Sequence, residues 1–339
     1  MTILITGGAG YIGGHMGLRL ADRGEDFVVV DDMSNGVSWA VPDGTELVVA
    51  STGDYQRMVN LMRARNVDTI LHFAATLITP DLYDKPLEYY RINAANGRAL
   101  LQAAADAGVK TFIYSATSAV YGNPVSNPVS EEAAIAPTTP YGKSKLTTEH
   151  MLADISAATG MRYVALRYFN VAGADPLARY GQSTTKTTLL VQIAVQAALG
   201  MRDKLEIYGT DYPTKDGTCV RDYLHVTDLI DAHDLALEHL RAGGENKTLN
   251  VGYGHGYSVR EIIDTVMRVT GREFPVTDGP RRDGDPIEVV AQASRIRSEL
   301  GWEPKFDDIE TIVQHAWAWE QKMERRRALD RELAGQSTG

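Results

Sequence analysis

The sequence predicts an α/β protein: a doubly wound parallel sheet with helices on both faces, followed by a smaller, mixed C-terminal region. Three observations carry this. Short β-rich runs alternate with helical patterns through the first half. Those runs are almost continuously apolar, as strands covered on both faces are. Past residue 170 the alternation gives way to turn-rich segments.

TILIT (2–6) is the first strand, and a helix over 11–23 follows it across a glycine-rich turn. DFVVV (26–30) and ELVVA (46–50) are the next strands, then a helix over 54–65, TILHFA (69–74), a helix over 87–107 and KTFIYSA (110–116). Pro140 suits the first turn of a helix, which extends over 141–159 on an apolar period. RYVALRY (162–168) closes the series. Beyond it, GADPLARYGQSTTKT is polar and loop-like, and TDYPTKDGTCVRD is rich in turn formers. Helices over 187–199, 226–241, 258–270 and 309–334 and strands LEIYG (205–209) and TLNVG (248–252) lie around these segments. The expected division is residues 1–170 and 171–339, with some later segments returning to the first part. Glu324 to Gly339 is charged and expected to fray.

With 44 acidic against 34 basic residues, the net charge is −10, which argues against a nucleic-acid partner held through its phosphates. A local basic pocket for a phosphorylated small molecule remains compatible. The one cysteine, Cys219, rules out an internal disulfide. The chain starts on an apolar run with no signal-peptide pattern, and no apolar stretch reaches the roughly 20 residues of a membrane span. A soluble, cytoplasmic protein is expected.

The turn after the first strand fits G-x-G-x-x-G at Gly8, Gly10 and Gly13, and G-x-x-G-x-x-G at Gly7, Gly10 and Gly13. Glycines allow a tight turn and close approach to a pyrophosphate, and the helix N-terminus beyond supplies N–H donors. Asp31 follows at the end of the second strand, near the roughly 20-residue interval for an acid on the adenosine ribose. Strand, glycine turn, helix and acid together predict a Rossmann-type dinucleotide site. Asp31 and Asp32 would repel a 2′-phosphate, and MSNGVSW after them offers no Arg or Lys to hold one, so NAD is expected rather than NADP.

Tyr141 and Lys145 lie four residues apart, on one helical face. An ammonium beside a phenol lowers its pKa and makes it a usable general base. Taken alone, the pair is also compatible with a solvated helix face. His15, His225, Trp317 and Trp319 read as packing residues, and no spacing suggests a metal site.

Further blocks decide between these readings: HFAA (72–75), KPLEYY (85–90), SATSAVYG (115–122), PYGKSK (140–145), LRYFNVAGA (166–174), GTDYPTKDGTCVRDYLHV (209–226) and PRRDGDP (280–286). With these, the chain resembles the extended short-chain dehydrogenase/reductase family over nearly its whole length, and within it the UDP-sugar 4-epimerases. The resemblance implies an NAD-dependent C4 epimerase of UDP-sugars, glucose and galactose first, with N-acetylhexosamines or pentoses as alternatives. It implies a catalytic set of Thr117, Tyr141 and Lys145. Around NAD it implies Tyr11 and Ile12 on the pyrophosphate, and Asp31, Asp32, Met33, Ser34, Asn35 and Gly36 about the ribose. Asp54 and Tyr55 would frame the adenine. Phe73, Ala74, Ala75, Asn93, Ser115 and Phe169 would line the rest. For substrate it implies Asn170, Thr188 and Leu189, then Glu206 and Tyr208 at the uracil. Arg221 and Arg282 would hold the diphosphate, Asp285 the ribose, and Val289 would line the sugar pocket. It also implies a homodimer through the helices near 87–107 and 141–159.

Three positions depart from common members: Leu77 replaces a lysine, Thr188 an Asn or His, and Val289 a large tyrosine. Thr117 is followed by Ser118 and Ala119, not the acidic pair of a 4,6-dehydratase. No site for a sugar carboxylate, which a decarboxylase would need, is identified. A non-catalytic NAD-binding regulator is the alternative of another class, and such proteins commonly lose the Tyr/Lys pair kept here.

Overall fold

A computed structural model describes residues 2–76, 84–184 and 187–336. Its strands are β1 (Thr2–Thr6), β2 (Phe27–Asp31), β3 (Glu46–Val49), β4 (Val67–His72), β5 (Thr111–Ser115), β6 (Arg162–Tyr168), β7 (Asn170–Ala172), β8 (Leu205–Tyr208), β9 (Val220–Arg221), β10 (Tyr223–His225), β11 (Lys247–Val251), β12 (Tyr257–Ser258), β13 (Val276–Gly279) and β14 (Glu288–Val289). The helices are α1 (Tyr11–Asp22), α2 (Tyr55–Ala64), α3 (Pro86–Tyr89), α4 (Asn96–Ala107), α5 (Pro140–Thr159), α6 (Leu190–Ala198), α7 (Val226–Arg241), α8 (Val259–Thr270), α9 (Ser294–Leu300) and α10 (Ile309–Gln336).

The main sheet runs β3-β2-β1-β4-β5-β6-β11, parallel throughout. Alternate residues of each strand enter opposite layers. Ile3, Ile5, Val29, Leu71 and Ile113 pack with α1 and α7, and Leu4, Val28, Val30, Ile70 and Phe112 pack with α2 and α4. Strand order reverses between β1 and β4, and open α/β sheets bind ligands in the crevice beyond such a switch. The ends of β1 and β4 meet closely there, since a Cβ on Gly7 would fall 2.6 Å from the Ala74 nitrogen.

The expected strands and helices form with ends shifted by up to three residues. The helix placed at 187–199 spans Leu190–Ala198, because Leu189 is still extended where α6 starts. The helix placed at 87–107 is α3 and α4 joined by a π-helical segment, Tyr90–Ala95. Thr139 starts α5, its hydroxyl accepting from the Gly142 N–H at 3.1 Å, with Pro140 next as expected. TLNVG lies far along the chain, yet as β11 it pairs with β6 and completes the main sheet. The turn-rich segments form small sheets that the sequence did not announce: β10 with β7, β9 between β12 and β14, and β13 with β8. No described helix is long and apolar enough to cross a membrane. Leu77 lies outside the described residues.

Candidate active site

Gly7 takes a left-handed φ of 71°. A Cβ on Gly13 would lie 2.2 Å from the Gly7 carbonyl oxygen, so the turn closes on itself only without side chains. No side chain caps α1, so its first N–H groups are presented at this cradle. The Tyr11 hydroxyl donates to the Gly173 carbonyl at 2.7 Å, leaving its backbone, with that of half-buried Ile12, to face the turn. The cradle and helix end fit a dinucleotide pyrophosphate.

Asp31 sits at the tip of β2. Its carboxylate accepts from the Ala9 N–H at 3.0 Å and the Met33 N–H at 2.9 Å. Burial pushes this carboxyl up from its ordinary value, and the two N–H groups pull it back. The acid expected to meet the ribose thus also clasps the glycine turn. Asp32 instead accepts from the Ser34 N–H at 2.9 Å, and Ser34 and Asn35 are exposed. A Cβ on Gly36 would meet Ala9 at 2.8 Å, which keeps this loop against the turn.

Asp54 and Tyr55 are engaged in local structure. Asp54 caps α2 by accepting from the Arg57 N–H at 3.2 Å, and the exposed Tyr55 hydroxyl donates to Asp106 at 2.7 Å. Phe73, Ala74 and Ala75 are half-buried beyond β4, at the sheet's switch point. Asn93 is buried, accepting from the Thr76 N–H at 2.8 Å and donating to Ser144 at 3.1 Å, so it ties that stretch to α5.

Thr117, Tyr141 and Lys145 come together under this stretch, all buried. Thr117 caps a 3-10 turn over Ser118–Tyr121. Tyr141 and Lys145 occupy the first turns of α5, with the ammonium 4.5 Å above the Tyr114 ring of β5. Burial pushes the Tyr141 phenol well above its usual value, Tyr168 and Tyr89 push the same way, and the Thr117 hydroxyl pulls it back. The expectation of a lowered phenol pKa is therefore reversed in the protein alone. Burial also lowers the Lys145 ammonium to about 7, against the pull of Glu149. Ser115 donates to the Tyr168 hydroxyl at 2.8 Å, linking the ends of β5 and β6.

Phe169 is buried beside Val120, Tyr121 and Val289. Asn170 opens β7, its N–H bonded to the Asp222 carbonyl at 2.9 Å. Thr188 and Leu189 are half-buried before α6, the Leu189 N–H donating to Thr187 at 3.1 Å. Glu206 and Tyr208 lie on β8, and the Arg282 guanidinium covers the Tyr208 ring at 3.6 Å. Arg221 lies 3.7 Å from Asp285. These residues, far apart in sequence, thus form two adjoining pairs. His15 and His225 are buried and packed against other rings. No group of three or more His, Cys, Asp or Glu among the described residues is arranged to hold a metal.

Sequence reasoning passed over Glu149, Arg167 and Tyr121. Arg167 donates from Nε to Glu149 at 3.1 Å and from Nη1 to the Tyr121 hydroxyl at 3.0 Å. The available signal was an acid one further turn along the Tyr141–Lys145 face, where an apolar residue belongs.

A Rossmann-type sheet, an uncapped glycine turn and a buried Tyr/Lys pair at its switch point define a dinucleotide-dependent enzyme of carbonyl–alcohol chemistry. A model of the NAD dependent epimerase/dehydratase family matches residues 3–252, and the chain belongs to that family. It is 50% identical over 322 residues to the UDP-glucose 4-epimerase of Azospirillum brasilense, covering 95% of this chain and 92% of that one. The crystal structure of UDP-glucose 4-epimerase from Brucella ovis in complex with NAD superposes with a TM-score of 0.89 at 42% identity, covering 94% and 97% of the two chains. The UDP-Glc/GlcNAc 4-epimerase of Campylobacter jejuni superposes with a TM-score of 0.82 at 42% identity, covering 95% and 99%.

Proposed function

We propose that this chain interconverts UDP-glucose and UDP-galactose by reversible inversion at C4 through a 4-keto sugar. The observation that carries the reading is the buried set of Thr117, Tyr141 and Lys145 beside the dinucleotide turn. When bound, NAD supplies the internal redox partner for the sugar C4. Gly7, Gly10, Gly13 and the start of α1 would hold its pyrophosphate, and Asp31 its adenosine ribose.

Tyr141 takes the proton from the sugar 4-hydroxyl and returns it to O4 of the inverted sugar. Thr117 bonds the same hydroxyl and fixes its direction. Lys145 stabilises the phenolate, and the positive charge of the oxidised cofactor adds to that effect. Arg221 and Arg282 hold the diphosphate, Tyr208 and Glu206 the uracil end, and Asp285 the ribose. Anchoring the nucleotide and leaving the hexose loosely held lets the keto sugar present either face. The division near residue 170 belongs to this proposal, with the later residues serving mainly the UDP-sugar. So do a homodimer through the faces of α4 and α5 and a cytoplasmic location.

A wider sugar range is the second reading, raised by Val289, a small side chain in the buried cluster with Phe169. The Campylobacter jejuni protein, whose name covers both sugars, supports it. Incubation with UDP-glucose, UDP-galactose and their N-acetyl counterparts, without added reductant, followed by separation of C4 epimers, tests both readings. Conversion of none of the four defeats the proposal. Light scattering of the purified protein tests the dimer.

A further inference from the structure

Beneath the Tyr141–Lys145 pair lies a buried chain of polar groups. Glu149 stands one turn past Lys145 on α5, and both its carboxylate oxygens bind the Arg167 guanidinium of β6. Arg167 reaches the hydroxyl of Tyr121, at the end of the 3-10 turn that Thr117 begins. The Tyr121 hydroxyl donates to Asn250 Oδ1 of β11 at 2.7 Å, and Asn250 Nδ2 donates to the Val129 carbonyl at 2.9 Å. Glu149 and Arg167 are each 7% exposed, and Tyr121 and Asn250 are more deeply buried.

Stability alone explains such a chain poorly. Desolvating a carboxylate and a guanidinium costs most of what their attraction returns, and apolar replacements of buried pairs are often as stable. The placement offers a different reason. The chain ties two parts of the candidate site, the helix of Tyr141 and Lys145 and the turn of Thr117, to the edge strand β11. It also sets a carboxylate one helical turn from an ammonium that burial tends to discharge.

We propose that Glu149 and Arg167 are a positioning pair for the reaction, in which the Glu149 carboxylate keeps Lys145 charged and Arg167 limits that pull while fixing the Thr117 turn. The proposal rests on the assignment of Tyr141 and Lys145 to catalysis. The groups around Lys145 agree with it. Tyr114 of β5 lies under the ammonium, and Tyr141 shares its helix. Tyr168 of β6 and Tyr89 of α3 act on Tyr141. His72 of β4 feels the Lys145 charge but stays neutral, with a pKa near 3. Glu149 is the acid that raises the Lys145 pKa among the described residues.

The test uses the NAD-loaded protein and three variants: Glu149→Gln, Arg167→Met and the double variant. Two quantities are read: the pH at which kcat/KM rises, and the titration of Lys145 Nζ by NMR on isotope-labelled lysine, assigned with Lys145→Met. Glu149→Gln removes the carboxylate and leaves the buried guanidinium. Lys145 should then titrate lower and the activity limb move to higher pH, each by about one unit or more. Arg167→Met leaves the carboxylate unopposed, so both should move the other way. The double variant should titrate Lys145 below Arg167→Met, because the two differ only in the carboxylate.

A merely structural pair would shift both single variants in the same direction or neither, and that result overturns the proposal. If Glu149→Gln fails to fold, the Arg167→Met and double variants still decide, and equal Lys145 titration in the two is equally fatal. Full activity of Lys145→Met would sink the catalytic assignment instead, while the NMR arm still reads the electrostatics.

Discussion

Acid should destabilise this protein steeply, starting above the range where carboxylates titrate, because four histidines are buried neutral. His72 and His225 are held near pKa 3, and His15 and His233 near 4, each chiefly by burial, against an ordinary 6.5. Below 6.5 the unfolded chain takes up protons that the folded one refuses. Their contribution is therefore complete above 6.5 and is lost as pH falls toward 3 to 4. Each pH unit in that window costs about 1.4 kcal/mol per histidine. At about pH 5 this is about 2 kcal/mol each, or about 8 for the four, against a usual total of about 5–15 kcal/mol. Urea unfolding at fixed, saturating NAD, followed by tryptophan fluorescence between about pH 7.5 and pH 5, measures the slope. His72→Gln should flatten it by about 1.4 kcal/mol per pH unit. A midpoint that stays level across this range would refute the reasoning.

Three further outcomes are expected. Tyr141→Phe removes only a hydroxyl from a buried ring, so melting and NAD content should hold while kcat falls by about 10² to 10⁴; near wild-type turnover would remove Tyr141 from the mechanism. Gly13→Ala sets a methyl against the Gly7 carbonyl and should cost about 1–3 kcal/mol and weaken NAD binding, read by denaturation and by nucleotide titration. Unaltered NAD affinity would show that the turn is not the pyrophosphate site. Val289→Tyr forces bulk beside Phe169 and should lower kcat/KM for the N-acetyl pair at least about tenfold relative to the hexoses; an unchanged ratio would show that this position does not choose the sugar.

The sheet was legible because doubly covered strands leave long apolar runs, and TILIT and RYVALRY were bounded to the residue. Strands such as β9, β12 and β14, two residues each, are too short to carry a period and exist only through their partners. The place of β11 is a matter of nonlocal pairing, which local pattern does not encode. At the site, helical spacing alone placed Tyr141 beside Lys145. That Tyr208, Arg221, Arg282 and Asp285 share one site came from resemblance, since loops bring them together, and the pairing of Arg221 with Asp285 and of Arg282 with Tyr208 is visible only in the structure. The sign of the phenol shift was misread because spacing reports a neighbour's charge but not how much water burial removes.

The late arrival of β11 has a consequence for synthesis. Until Lys247–Val251 has left the ribosome, β6 has no partner on its outer side and presents RYVALRY as an open edge. An apolar, unpaired edge recruits other chains. A nascent chain stalled anywhere between Tyr168 and Lys247 is thus an aggregation hazard, and the finished protein is protected by the strand that its own C-terminal half delivers.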